Sequence, residues 1–329
     1  MIPLKPAAWQ GESWQWHLSH AISKPADLAA ALGVPVASVE TGFPLRVPLP
    51  YLARIRRGDT SDPLLRQVLP VAEELTQADG WTADPLEEAA NRAPPGVLHK
   101  YSGRALLVLT GACAINCRYC FRRHFPYEDR QLSGSGRTAA LDYLRADSNL
   151  TEVILSGGDP LASSDRQLAE LSLALDKVPH LRTLRIHTRL PVVVPQRVCA
   201  DLLDWLSATR LHKVIVLHVN HPNELDESVA TAIADLAGTG ATLLNQSVLL
   251  KGVNDSAAVL AELSERLFDA GVLPYYLHRL DHVQGATHFE PASGATERIM
   301  RALRDALPGY LVPRFVTEIP GERAKRVLL

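Results

Sequence analysis

Cysteine is scarce in this chain, with 4 in 329 residues. That is far below the density of a disulfide-built secreted domain, so the fold must rest on a hydrophobic core formed in a reducing compartment. No charge sign dominates either. Lys and Arg total 34 against 36 Asp and Glu, which removes the global field that nucleic acid or an anionic membrane would need. Long apolar runs are missing as well. No stretch approaches the roughly 20 residues of a membrane span, and the opening MIPLKPAAWQGESWQW lacks the apolar core of a secretory signal. These absences predict a cytoplasmic protein that acts on a small molecule, with no nucleic-acid partner and no membrane. No solenoid-type repeat or low-complexity segment is visible, and SGGDPL (156–161) is not a Walker or dinucleotide fingerprint. What remains is 47% hydrophobic and 21% charged, enough to bury a large core as one big or two unequal domains.

Against that scarcity, three of the four cysteines crowd together: Cys113, Cys117 and Cys120 in TGACAINCRYCFRRH. The C-x3-C-x2-C spacing offers three thiolates to one centre. A cubane iron–sulfur cluster has four irons, normally all held by thiolates. Three cysteines leave one iron open to bind and reduce a small molecule. His124 follows at a spacing that would instead complete a closed Cys3His zinc site, and the motif alone leaves both readings open. Cys199, in VCADLLDWL, lies far downstream and reads as a buried helical residue.

Residues 1–98 carry short helical patterns, such as 25–32 (PADLAAAL) and 64–75, broken by prolines and ending in the linker-like RAPPGVLHK. This predicts a helical N-terminal region, with Trp9, Trp14 and Trp16 placed to pack it on the rest of the chain or on another subunit. From Tyr101 onward, short β-branched runs alternate with helical stretches. The predicted strands are ALLVLT (105–110), EVILSG (152–157), LRIHT (184–188), VIVLHV (214–219), LLNQSVL (243–249) and PYYLHR (274–279). Amphipathic stretches lie near 137–146, 165–177, 196–207, 224–238, 256–270 and 294–306. Six such units are too few for a closed eight-stranded barrel, which leaves an open doubly wound sheet or a partial barrel. Ser156, Asp159, His187, His218, Asn245, Gln246, His278 and Asp281 all fall at or just beyond strand C-terminal ends, where barrel enzymes build their sites. That placement favours an α/β fold with a partial (βα)6 barrel over residues 99–290 and a C-terminal helix and tail over 291–329.

The cysteine loop after the first strand of a six-unit β/α chain resembles the cluster loop of radical S-adenosylmethionine (SAM) enzymes. The likeness is more specific than that superfamily. RYCFRRH, SGGDPL (156–161), HTRLPVVVPQR (187–197), HVNHPNE (218–224), NQSVLLKGVND (245–255) and PYYLHRLDHVQGATHF (274–289) together resemble the lysine 2,3-aminomutase family. The likeness runs from about Lys100 to Lys325. Within the family, the chain looks like the branch that makes (R)-β-lysine for modification of elongation factor P.

The resemblance implies two cofactors besides the substrate L-lysine. Cys113, Cys117 and Cys120 would hold a [4Fe-4S] cluster whose open iron chelates SAM, reduced by a donor such as a flavodoxin or ferredoxin. Gln246, His218 and the segment Ser156, Gly157, Gly158 and Asp159 match positions lining the SAM site, where glycines let the main chain approach closely. Lys325, in PGERAK, matches the lysine that binds pyridoxal 5′-phosphate (PLP), although Glu322, Arg323 and Ala324 replace glycines of the family motif. Tyr101 and Arg104 in KYSGR match PLP-contacting residues, the guanidinium fork suiting a phosphate. Arg122 matches the arginine that grips the substrate carboxylate. Asp281 and Glu318 match two acids that receive the side-chain ammonium, Glu318 being one methylene longer than the family's aspartate. Two acids facing a cationic tail argue for lysine over glutamate, since buried charge must be paired. Arg122, Arg123 and Arg130 form a local basic cluster that reads as site-facing and surface charge.

Overall fold

The computed structural model describes residues 8–35, 39–90, 93–132 and 134–329. The opening segment MIPLKPA and Arg92 of the expected linker lie outside the described residues.

Strand-forming runs here are apolar on both faces. EVILSG is buried along almost its whole length, as expected for a parallel strand covered on both sides. Nine strands follow: β1 (Val97–Tyr101), β2 (Arg104–Thr110), β3 (Glu152–Gly157), β4 (Thr183–Thr188), β5 (His212–Leu217), β6 (Thr242–Val248), β7 (Leu273–His278), β8 (Arg314–Thr317) and β9 (Arg326–Val327). They form one sheet whose spatial order is the chain order. A doubly wound sheet reverses direction at a switch point. This one never reverses, so it is an arc of a barrel. β2 to β8 pair in parallel, while β1 and β9 close the two ends antiparallel.

Six helices make the crossovers: α1 (Gly134–Ala146), α2 (Asp165–Asp176), α3 (Ala200–Ala208), α4 (Glu227–Gly238), α5 (Ala257–Asp269) and α6 (Ala295–Ala306). Each expected βα unit is present within a few residues of its predicted bounds. Three helix starts are capped by side chains at the strand-end face: Ser164 on α2, Asp226 on α4 and Ser256 on α5. The seventh parallel strand, β8, was not expected. Its four residues RFVT are too short to show an alternating pattern, and pairing with β7 rather than local propensity makes it a strand.

The N-terminal region corrects two further expectations. VLHKY, read as linker, is β1, turned back on β2 with Tyr101 opposite Arg104. The helix expected over 64–75 is split into Pro63–Arg66 and a 3-10 turn at Ala72–Leu75, with Pro70 between them lacking the N–H that a continuous helix would use. Trp14, Leu28, Tyr51, Leu64 and Leu65 are buried in the same hydrophobic cluster as Leu107, Leu155, Ile186 and Leu217 of the sheet. Each fully buried aliphatic side chain contributes about 1.5–3 kcal/mol, so the region is bound to the barrel by its core. Trp14 also stacks beneath the Arg197 guanidinium. No helix among the described residues is long and apolar enough to cross a membrane.

Candidate active site

A cavity of about 280 Å³ opens at the C-terminal ends of the strands. Cys113, Cys117 and Cys120 line it from the loop after β2. That loop is held from several sides. Gly158 N–H donates to the Thr110 carbonyl at 2.7 Å and Asp159 N–H to the Ala112 carbonyl at 2.9 Å. A Cβ on Gly158 would lie 2.5 Å from the Ala112 oxygen, and Gly157 adopts φ +125° with the Thr110 oxygen equally close to where its Cβ would stand. The two glycines therefore exist at least in part for the approach of β3 to the cysteine loop. The Asp159 carboxylate accepts from Thr188 Oγ1 and from the N–H groups of Leu161, Arg189 and Leu190, so it ties the β4 loop to the β3 loop.

The N-terminal region clamps the same loop from outside. Arg118, fully buried, donates to both Glu74 oxygens at 2.8 and 2.5 Å and to the Phe43 carbonyl at 2.9 Å. Arg123 reaches Glu74 at 2.6 Å and the Gly285 carbonyl at 2.9 Å. Burial pushes the Cys113 thiol well up and Cys120 to about 11, so the sulfurs ionise only when a positive centre arrives to replace their protons. Among the described residues no three His, Cys, Asp or Glu side chains meet closely enough to enclose a single ion. His124 is exposed, pairs its ring with the Gln284 carbonyl at 3.2 Å and does not line the cavity.

A ladder of alternating charges runs along the other wall. Arg122 donates to both Glu88 oxygens at 2.7 and 2.8 Å and to Ser156 Oγ at 3.1 Å. Lys100 on β1 bridges Glu88 at 2.9 Å and Glu318 at 2.8 Å. Glu318, just past β8, also takes Lys325 at 2.5 Å. Glu318 and Lys100 thus span the gap between the first and last parts of the sheet. Burial favours the neutral form of Glu318, but Lys325 and Lys100 outweigh it and hold the carboxyl well below its ordinary value. Asp281 lines the same cavity, and there burial dominates, pushing its carboxyl up to about 7.

Aromatic rings and imidazoles also line the cavity. Arg104 lies over the Tyr101 ring at 4.4 Å, and burial, with Glu318 beside it, raises that phenol. His218 meets Gln246 at 2.8 Å, and burial lowers its ring to about 3. Burial also drives His187 and His278 well down, and each buries an Nε2 with no partner. Both residues line the cavity, and buried nitrogens without a partner are uncommon.

The cavity brings together Cys113, Cys117, Cys120, Tyr101, Arg104, Arg122, Ser156, Gly157, Gly158, Asp159, His218, Gln246, Asp281, Glu318 and Lys325. Asn245 is not there. It turns into the sheet and satisfies Val219 and Ser247, because neighbouring strand residues face opposite ways. Sequence reasoning missed Glu88 and Lys100. Lys100 stands beside Tyr101 in a motif already singled out, which was the available signal; nothing local distinguishes Glu88.

The sequence model of the Radical SAM superfamily matches residues 107–257. The chain is 47% identical over 99% of its length to the L-lysine 2,3-aminomutase of Haemophilus influenzae, covering 98% of that protein. It is 46% identical over 96% of its length to the Escherichia coli L-lysine 2,3-aminomutase, covering 94% of it, and 36% identical over 95% to that of Clostridium subterminale, covering 76%. Superfamily membership implies a [4Fe-4S] cluster and SAM, which suits three cysteines on one loop lining a cavity that no fourth cysteine enters. By this likeness along nearly its whole length, the chain belongs to the L-lysine 2,3-aminomutase family of the radical SAM enzymes, a family of isomerases.

Proposed function

We propose that the protein converts L-lysine to β-lysine by moving the α-amino group to C3, using SAM and PLP, and that the product is (R)-β-lysine for modification of elongation factor P. The observation that carries the reading is the Lys325 amine, contributed near the end of the chain, opening into the same cavity as Cys113, Cys117 and Cys120. Radical generation and amine chemistry need those two features within one enclosure.

The residues present fit each group. Cys113, Cys117 and Cys120 would hold the cluster, with Gln246, His218 and the Ser156–Asp159 turn around SAM; together these supply a carbon radical strong enough to take hydrogen from C3. Lys325 would hold PLP, with Tyr101 and Arg104 on the same side; the cofactor supplies an electron-accepting π system to the migrating nitrogen. Arg122, here paired with Glu88, would exchange that partner for the substrate carboxylate, and Asp281 and Glu318, the latter here paired with Lys325, would receive the distant ammonium. The reading places the enzyme in the cytoplasm with a low-potential donor such as a flavodoxin or ferredoxin, and leaves room for a homo-oligomer.

The test is an anaerobic assay of reconstituted protein with L-lysine, SAM, PLP and dithionite, scored by chiral chromatography and repeated with Lys325→Ala. β-Lysine that vanishes in the variant is expected. If 5′-deoxyadenosine forms without β-lysine, the substrate assignment is wrong.

A further inference from the structure

One buried cation of the same cavity touches a cluster cysteine and has no part in the roles above. Arg189, at the end of β4, donates from Nη1 to Cys117 Sγ at 2.8 Å and to Tyr119 Oη at 2.8 Å. Its Nη2 donates to Gln67 Oε1 at 2.7 Å and Glu224 Oε2 at 2.8 Å. The main-chain N–H is fixed by Asp159 at 2.7 Å. Its counter-ion is equally set. Glu224, with no exposed surface, accepts from the N–H groups of Asn220 and His221 and from Gln67 Nε2. Asn220 also donates to Tyr119 Oη at 2.6 Å. Strand ends β4 and β5, the N-terminal region and the cysteine loop thus all meet at this guanidinium.

We infer that Arg189 is a positioning residue that fixes Cys117 and raises the reduction potential of the cluster, with Glu224 as the opposing charge that limits the rise. This rests on the reading of the three cysteines as cluster ligands. In the reduction, one electron from a low-potential donor enters the cluster, which gains one negative charge and breaks no bond. A guanidinium bonded to a ligating sulfur stabilises the more negative state. Arginine stays protonated at any working pH, so the charge is permanent and geometry alone sets its effect. A nearby carboxylate offsets it, and its own burial is tolerable because the pair is mutually satisfied.

The experiment is a potentiometric titration of the anaerobically purified, SAM-free protein followed by electron paramagnetic resonance, with iron and sulfide measured on each sample. Arg189→Met combined with Glu224→Gln, which removes both charges of the pair, is expected to move the midpoint more negative. The expected change is about tenfold in the reduction equilibrium, or 59 mV for one electron. Glu224→Gln alone is expected to move it more positive, and Arg189→Lys to lie between the double variant and wild type. Opposite signs for the two variants that carry Glu224→Gln are something loosened packing does not produce. Unchanged midpoints, or shifts of the same sign, overturn the inference. If the double variant holds no cluster, the sign at Glu224→Gln decides. Wild-type protein without iron and sulfide would instead sink the cluster reading itself.

Discussion

Asp281 and Glu318 face one cavity yet hold their protons very differently. Burial dominates at Asp281 and lifts its carboxyl to about 7, whereas Lys325 and Lys100 overcome the burial of Glu318 and depress it. The stability consequences have opposite signs. Asp281 binds its proton more tightly folded than unfolded, so its contribution is fully present below the unfolded value near 3.8 and is lost as pH rises through about 7. Glu318 contributes above its unfolded value near 4.5, and that contribution is lost as pH falls. Asp281→Asn should therefore leave the melting temperature of the cofactor-free protein little changed at about pH 3.5 and raise it at pH 8, a stabilisation on the order of 2–4 kcal/mol. A difference that stays flat across that range would remove the burial argument. In the proposed reading the sign reverses for the substrate, because an arriving ammonium would need the ionised carboxylate. The KM for lysine should rise as pH drops below 7, as pH-dependent initial rates would show.

Between elements, what matters is how closely main chains approach. Gly158→Ala would set a Cβ 2.5 Å from the Ala112 carbonyl oxygen, backbone against backbone. Neither atom yields by rotating a side chain, so the β3 turn and cysteine loop must part, at about 1–3 kcal/mol. The expected result is a lower melting temperature together with less iron bound per chain after reconstitution. Normal iron content would show that the contact does not place the cysteines. The GG pair was legible as a turn, but its partner was not. A turn signal describes the conformation a residue allows, and only the packed sheet shows which neighbouring loop requires it. β8 teaches the same lesson for strands, since RFVT becomes one by pairing with β7.

For the molecule as a whole, the N-terminal region and the barrel share one core, and the region reaches into the site. Glu74 pairs with both Arg118 and Arg123, two cations of the cysteine loop. Glu74→Ala would leave the Arg118 charge without a counter-ion in a fully buried position, at about 3–5 kcal/mol. Denaturant unfolding should report that loss, and cluster reconstitution should fall with it; an unchanged midpoint would mean the clamp is not structural.

Some of this protein was fixed by residues close together in the chain. The C-x3-C-x2-C spacing places three thiols on one loop because it needs no more than a few residues of backbone. The six βα units show as alternating periodicities, since each strand and helix is selected by its own pattern of burial. The resemblance added Lys325 and Glu318, residues that no local pattern singles out, and a role for Asp281. Only the tertiary structure decided that Lys100 meets Glu318 across the open edge of the sheet, that Glu88 occupies Arg122, and that Arg189 reaches Cys117. These are pairings between residues far apart in sequence, made where strands of different units end side by side. No local pattern encodes such a meeting, because it depends on the order and curvature of the whole sheet.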